Sequence, residues 1–247
     1  MKSRPTHYRW AVILPALFLL SGCMMDGGRV ATGELRTDSK QVALGAAKSV
    51  RVNVDMKAGE LKIGAGASQL LDANFTYNVP AWKPEVRYDV HGGVGALEID
   101  QPQSGHSGGN SRNEWDVRLG GNAPMNLTVN LGAGRATLVL GGLALDDIEL
   151  NMGAGETIVD LTGTWKKDLV GRIHGGVGKA TVRLPSDVGI HVIAHGGLGA
   201  INAGSLHKQG DAYVNDAYGK SPVKLSIEVE GGIGEIDLEV GGPPPVV

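Results

Sequence analysis

Cysteine is almost missing from this chain: of 247 residues only Cys23 is one. The residues after it can form no disulfide among themselves, and zinc sites built on cysteine are excluded. Aromatic residues make up only 4 %, so no large aromatic core is to be expected. Helical periodicity is absent after residue 22. No apolar stretch is long enough for a stable membrane span, which needs roughly 20 residues. Positive charge is not in excess, with 23 Lys and Arg against 26 Asp and Glu. Such a balance excludes nucleic acid as a partner and argues against charge-driven binding to anionic lipid.

The first residues have a different character. Lys2, Arg4 and Arg9 precede the apolar Ala11–Leu20, and Leu20-Ser21-Gly22-Cys23 comes next. A positive segment, a short apolar segment and small residues describe a secretory signal. Its end resembles the bacterial lipobox, which is cut before a cysteine that then carries diacylglycerol and an acylated amine. Residues 1–22 are therefore expected to be a lipoprotein signal peptide and Cys23 the lipidation site. An ordinary signal peptide that happens to contain a cysteine is the alternative. Several acyl chains anchor stably where one binds only reversibly. Loss of residues 1–22 removes three positive charges and no acids, taking the net charge from −3 to −3 − 3 = −6. Met24 stands where an Asp would follow the acylated cysteine, which points to the outer membrane in a diderm host. The expected location is the cell envelope, lipid-anchored, with the folded part outside the cytoplasm.

What the chain has in abundance is glycine, 39 residues, about twice the usual ~7 %. Asn126–Leu140 (Asn-Leu-Thr-Val-Asn-Leu-Gly-Ala-Gly-Arg-Ala-Thr-Leu-Val-Leu) recurs as Asp147–Leu161 at an offset of 21. Both copies alternate apolar and polar residues, pause at Gly-Ala-Gly, and alternate again. Alignment on the last glycine of that phrase picks out Gly59, Gly95, Gly134, Gly155, Gly178, Gly199 and Gly234, with gaps of 36, 39, 21, 23, 21 and 35. The columns five before (Val54, Val90, Val129, Leu150, Ile173, Ala194, Val229) and four after (Ile63, Ile99, Leu138, Val159, Val182, Ala203, Leu238) are apolar throughout. Alternate apolar columns are the inward face of strands. Their phase shifts at the glycine, where a residue without Cβ lets the strand bend. Only parallel stacking puts equivalent residues side by side at about 4.8 Å per step. The expected fold is all-β, a single-stranded right-handed β-helix or solenoid of about seven coils with 21–23-residue repeats; a β-sandwich is the competing architecture.

Residues 23–47 read as the acylated cysteine and a tether, 48–240 as the solenoid, and 241–247 as a Pro-rich tail that cannot continue a ladder. Three insertions break the rhythm: Ser68–Pro84, Gln101–Glu114 and Ser205–Pro222. The second is a surface loop by composition. The first and third carry Trp82, Tyr213 and Tyr218, which are candidates for a contact patch or, equally, for capping the ends of the core.

The most pointed polar feature is the column four before each glycine: Asp55, His91, Asn130, Asn151, His174, His195 and Glu230. It should face outward. His174, His195 and Glu230 stand on consecutive coils, near enough to share a metal ion; a solvated ladder of stacked side chains is the simpler reading, and no metal or cofactor is expected. The glycine phrases are followed by strands and not by a helix N-terminus, so they are hinges and not phosphate loops. Asp146-Asp147-Glu149 and Glu235-Asp237-Glu239 are the densest acidic runs. No Gly-x-Ser-x-Gly elbow is present, and the acids show no basic partner in neighbouring columns.

Several phrases carry a family resemblance. Val54-Asp55-Met56-Lys57-Ala58-Gly59-Glu60-Leu61-Lys62-Ile63, Leu70–Asn78 and Pro84-Glu85-Val86 resemble the toast-rack N-terminal domain. Asn113–Val117 and Val129–Gly134 resemble the segment immediately C-terminal to that domain in the family. The coils ending in Ile227-Glu228-Val229-Glu230-Gly231-Gly232-Ile233-Gly234 are similar to the C-terminal domain of LiaF-type cell-wall-stress proteins. The resemblance divides the solenoid into 48–117 and 118–240. It implies an envelope domain with no known catalysis and brings no catalytic residues. LiaF-type proteins restrain a sensor kinase, but this chain lacks their multi-span membrane region. The reading is thus a non-catalytic envelope lipoprotein, not an enzyme, whose solenoid is a binding or scaffold module for an envelope protein or the cell wall, in stress response or adhesion. A glycan-active β-helix enzyme, lyase or hydrolase, is the rival.

Overall fold

The computed structural model describes residues 29–102, 106–107 and 109–241, with side chains for 31–102 and 109–241. The expected signal peptide (residues 1–22), the expected lipidation site Cys23 and most of the Pro-rich tail lie outside the described residues. In chain order the strands are β1 (Arg29–Val30), β2 (Arg36–Val42), β3 (Ser49–Ala65), β4 (Leu71–Tyr77) and β5 (Glu85–His91). Then come β6 (Val94–Asp100), β7 (His106–Ser107), β8 (Asn113–Leu119), β9 (Met125–Val139) and β10 (Leu145–Asp160). Last are β11 (Leu169–Leu184), β12 (Gly189–Asn202), β13 (His207–Gln209), β14 (Ala212–Val214) and β15 (Lys224–Val240). Apart from the β1–β7 pair they form one sheet with the path β13-β14-β12-β15-β11-β10-β9-β3-β8-β4-β2, to which β6 and β5 add beside β3.

Six long strands, β3, β9, β10, β11, β15 and β12, stack in parallel and in the register that the columns predict. Gly59 pairs with Gly134, Gly134 with Gly155, Gly155 with Gly178, Gly178 with Gly234 and Gly234 with Gly199. Each strand is bent at that glycine, and its two arms enclose the core between them. Leu127 and Val129 before the bend, and Leu138 and Leu140 after it, line one interior gap with Ile148, Leu150, Val159 and Ile173. The inward columns are nearly sealed: Val54, Ile63, Val129, Leu138, Val182 and Val229 are all 2 % exposed or less. No single strand could bury its own inward face, so the stack is cooperative.

Three features depart from the expected coil order. β15 enters between β11 and β12, so the last long strand in the chain is not the last in the stack. Gly95 is not a hinge: it lies opposite Val50 and Val90, in the antiparallel β5–β6 hairpin. His91 therefore leaves the outward column, and six hinged strands form where seven coils were expected. Stretches outside the hinged strands also build structure: β2 lies in the expected tether and β4 in the first insertion. β2, β4 and β8 form an antiparallel layer that continues the sheet from the second arm of β3, while β6 covers the first arm. Gln101 and Asn113, the flanks of the expected surface loop, are buried at 1 % and 4 % exposure.

Candidate functional site

The bend is a continuous column of glycine. Gly59, Gly134, Gly155, Gly178, Gly234 and Gly199 have φ between 132° and 147°, a region essentially closed to side-chain-bearing residues. Space is closed as well. A Cβ at Gly155, Gly178, Gly234 or Gly199 would stand well inside 3.0 Å of the carbonyl oxygen of the hinge glycine on the strand below. Each hinge glycine is thus required both by its own backbone and by its neighbour.

Two positions flanking this column change character halfway along the stack. Three residues before the hinge, β3, β9 and β10 place Met56, Leu131 and Met152 inside, 8 % exposed or less. β11, β15 and β12 have Gly175, Gly231 and Gly196 there. One residue before the hinge the sizes reverse: Ala58, Ala133 and Ala154 give way to Val177, Ile233 and Leu198. These last three are adjacent in register and are 54 %, 53 % and 72 % exposed. The second half of the hinge therefore wears its large apolar side chains outside. Ile236 and Ile201, from the arm beyond the hinge, pack over Gly231 and Gly196 from within.

The polar column four before the hinge runs Asp55, Asn130, Asn151, His174, Glu230, His195 in space. The Asn151 amide donates to Asn130 Oδ1 at 2.9 Å, and His174 Nδ1 lies 3.0 Å from Glu230 Oε2. Insertion of β15 sets Glu230 between the two histidines, not after them. Among the described residues no group of three or more His, Cys, Asp or Glu could hold a metal ion.

The column just after the hinge alternates in sign: Glu60, Arg135, Glu156, Lys179, Glu235. Arg135 Nε lies 3.1 Å from Glu156, and Lys179 Nζ lies 3.2 Å from Glu235 and 2.6 Å from Asp237. The acidic run of β15 thus has a basic partner, contrary to the expectation from sequence. Coil order hides it, because Lys179 adjoins Glu235 only once β15 sits beside β11. Hydrogen bonds to Asp237 and then Glu235 raise the Lys179 pKa. Burial alone would raise the Asp237 pKa, but hydrogen bonds from Lys179 and Asn202 hold it below the ordinary carboxylate value. Such exposed pairs contribute little to stability; their regular alternation favours one register over its neighbours.

The two ends of the glycine column differ. At β3 a buried polar cluster covers the hinge edge. Gln101 Oε1 accepts from Lys57 N at 3.0 Å and from Asn113 Nδ2 at 3.0 Å. Asn113 Nδ2 also donates to the Ala58 carbonyl at 2.8 Å, and Trp115 Nε1 donates to Asn113 Oδ1 at 2.9 Å. At β12 the hairpin partner β14 pairs only with His191, Val192 and Ile193. From Ala194 to Asn202 no strand among the described residues pairs with the outer edge.

The three aromatic candidates do not meet. Trp82 is buried in a single 3-10 turn, Pro80–Trp82, at the β4–β5 end. Tyr213 lies on β14 at the opposite end, packed against the core, and Tyr218 lies against His191 with ring centroids 5.4 Å apart and planes tilted by 34°. Trp82 is buried and presents no exposed contact surface. No helix among the described residues is long and apolar enough to cross a membrane.

A stack of glycine-hinged parallel strands, with ladders outside and an apolar core inside, defines a structural class of stacked β-domain. The chain belongs to the toast-rack family: the model of the N-terminal domain of toast_rack, DUF2154, matches residues 31–183. A candidate cell adhesion protein from Clostridium sporogenes ATCC 15579 superposes with a TM-score of 0.78 at 31 % identity, over 84 % of this chain and 100 % of its own. A candidate adhesin from Bacteroides fragilis NCTC 9343 aligns over 85 % of this chain and 99 % of its own, at 11 % identity and a TM-score of 0.34, too loosely to carry an argument. The comparison with curated proteins returned no match.

Proposed function

We propose that this protein is a non-catalytic binding module of the cell envelope, held at a membrane by lipid on Cys23 and acting in adhesion. The observation that carries the reading is the likeness to the candidate cell adhesion protein of Clostridium sporogenes, which spans that chain's full length. The outer face supports it. Polar side chains there are tied to one another in ladders, which suits an extended, preformed contact surface. The partner is an envelope protein or cell-wall polymer, and a link to envelope stress would place the same surface against a sensor.

Two measurements test this. Fractionation of cells producing the full chain should find it with the membrane and find Cys23→Ser released; equal membrane retention of both would overturn the anchor. Beads coated with the chain should be retained by cells of its own species more than beads coated with an unrelated β-protein. Equal retention would overturn adhesion.

A further inference from the structure

A cleft opens on the outer face of the first arm, where β11, β15 and β12 lie side by side. The register places Val170, Ser226 and His191 in one row and Arg172, Glu228 and Ile193 in the next. Ser226 is the smallest of the six, so the middle strand dips between its neighbours. Lys224 stands at one end on β15, and Tyr218, from the third insertion, forms a wall; together these residues bound about 250 Å³. Drug-sized sites run from about 300 to 1,000 Å³, so this one has room for a single ring-sized group.

The wall is held by backbone contacts. Asn215 Oδ1 accepts from Ile190 N at 2.9 Å, and Asn215 Nδ2 donates to the Val188 carbonyl at 2.8 Å, which ties the insertion to the start of β12. Tyr218 N donates to the Asn215 carbonyl at 3.1 Å, and a Cβ at Gly189 would stand 3.4 Å from Tyr218 Cα. Apolar and open polar groups meet beside it. In the outward columns eight and six residues before the hinge, apolar side chains occur only as Val170 and Ile193, and both line the cleft. Between β11 and β15 the register sets a basic residue opposite an acidic one four times. His174–Glu230, Lys179–Glu235 and Arg183–Glu239 are in contact. Arg172–Glu228, in the cleft, is not. Arg172 reaches only Asp147, at 3.5 Å, and Glu228 and Lys224 form no ion pair among the described residues.

We propose that this cleft binds one neutral sugar ring of an envelope glycan. The face of an aromatic ring is electron-rich, and the polarised C–H groups on one face of a pyranose pack against Tyr218 and the two aliphatic side chains. Hydroxyl groups both donate and accept, so the edge of the ring satisfies the Arg172 and Lys224 donors and the Glu228 acceptor together. A carboxylate would face Glu228, and an amine would face Arg172 and Lys224; an uncharged polyol meets neither repulsion. One ring in so small a site binds weakly, with a Kd of about 1–10 mM. Many membrane-held copies facing a polymer of such rings gain from avidity. The proposal rests on the reading of the chain as a binding module and names the chemistry of its partner.

Saturation-transfer NMR on the full chain tests it. The probes are methyl glycosides of hexoses, 6-deoxyhexoses and N-acetylhexosamines, with methyl glucuronide as the charged counterpart. At least one neutral glycoside should show transfer, strongest on the C–H groups of one ring face. Glu228→Ala, with an unchanged melting midpoint, and Tyr218→Ala should each weaken that binding at least five-fold. Glu239→Gln, on the same strand but outside the cleft, should leave it unchanged. No transfer from any neutral glycoside, tighter binding of the glucuronide, or binding untouched by both cleft variants would each overturn the site. Bead retention reports separately. Retained beads without sugar binding would sink this site and leave adhesion standing, and sugar binding without retention would do the reverse.

Discussion

The two halves of the glycine hinge solve the same geometry in opposite ways. In β3, β9 and β10 the large side chains Met56, Leu131 and Met152 point into the core and alanines cover the outside. In β11, β15 and β12 glycine stands inside and Val177, Ile233 and Leu198 stand outside. The ends follow suit. The first half closes on a buried Gln101–Asn113–Trp115 cluster, and the second stops at an edge with no cover among the described residues. One backbone path is therefore compatible with two side-chain programmes: one builds core, the other builds surface.

The largest effects are expected where both halves share the same requirement. Gly178→Val in mid-column meets both a forbidden φ and the Gly155 carbonyl, and it should cost more than about 4 kcal/mol, read as loss of the cooperative melt. Gly210→Ala is the contrast. Its φ is 62° with open space around it, and the cost should be about 1–2 kcal/mol.

The asymmetry between the halves sets the next pair. Leu131→Ala removes buried volume and should cost about 2–5 kcal/mol in denaturant unfolding. Leu198→Ala, at the neighbouring outward position of the other half, should change stability by no more than about 0.5 kcal/mol. Asn113→Ala strips the closed end of donors to Ala58 and an acceptor for Trp115. A cost of about 1–3 kcal/mol, with hydrogen exchange accelerating at Lys57 and Ala58 first, is the expected result.

The smallest effect concerns acid. Asp237 is held ionised by Lys179 and Asn202 against the effect of burial. Its folded pKa lies below its unfolded one, so its contribution is present above the unfolded pKa, near 3.8. It is lost as the pH falls through the lower folded value. Lys179→Met should erase that depression and move the acid loss of stability to higher pH in a pH-resolved melting series. An unchanged acid limb would show that the pair sets only register.

Much of the stack is legible in the sequence because strand faces are local. Alternation about a recurring glycine identifies which residues of β9 and β10 point inward, and those columns pair as expected. The spatial order of strands is not local. β15 satisfies the column pattern as well beside β11 as it would beyond β12, and only the packed structure separates the two. The departure at Gly95 has a more specific cause. His91-Gly-Gly-Val-Gly matches His174-Gly-Gly-Val-Gly letter for letter, yet Gly92 and Gly93 have φ of 59° and 81° and make a two-residue hairpin turn. Gly-Gly between two strands is a known hairpin signal; the repeat hides it. The closing cluster is hidden too, because Gln101 and Asn113 sit at the ends of a polar, glycine-rich stretch whose composition reads as surface.

One hinge column, closed at β3 and open at β12, with β15 between β11 and β12, underlies all of these contrasts. Hydrogen exchange resolved amide by amide measures it directly. Amides of residues 233–237 in β15 should be protected in unbroken succession, since that stretch pairs with a strand on each side. In Ala194–Asn202 every second amide should exchange freely. Continuous protection across Ala194–Asn202, or gaps in β15 matching those of β12, would contradict it.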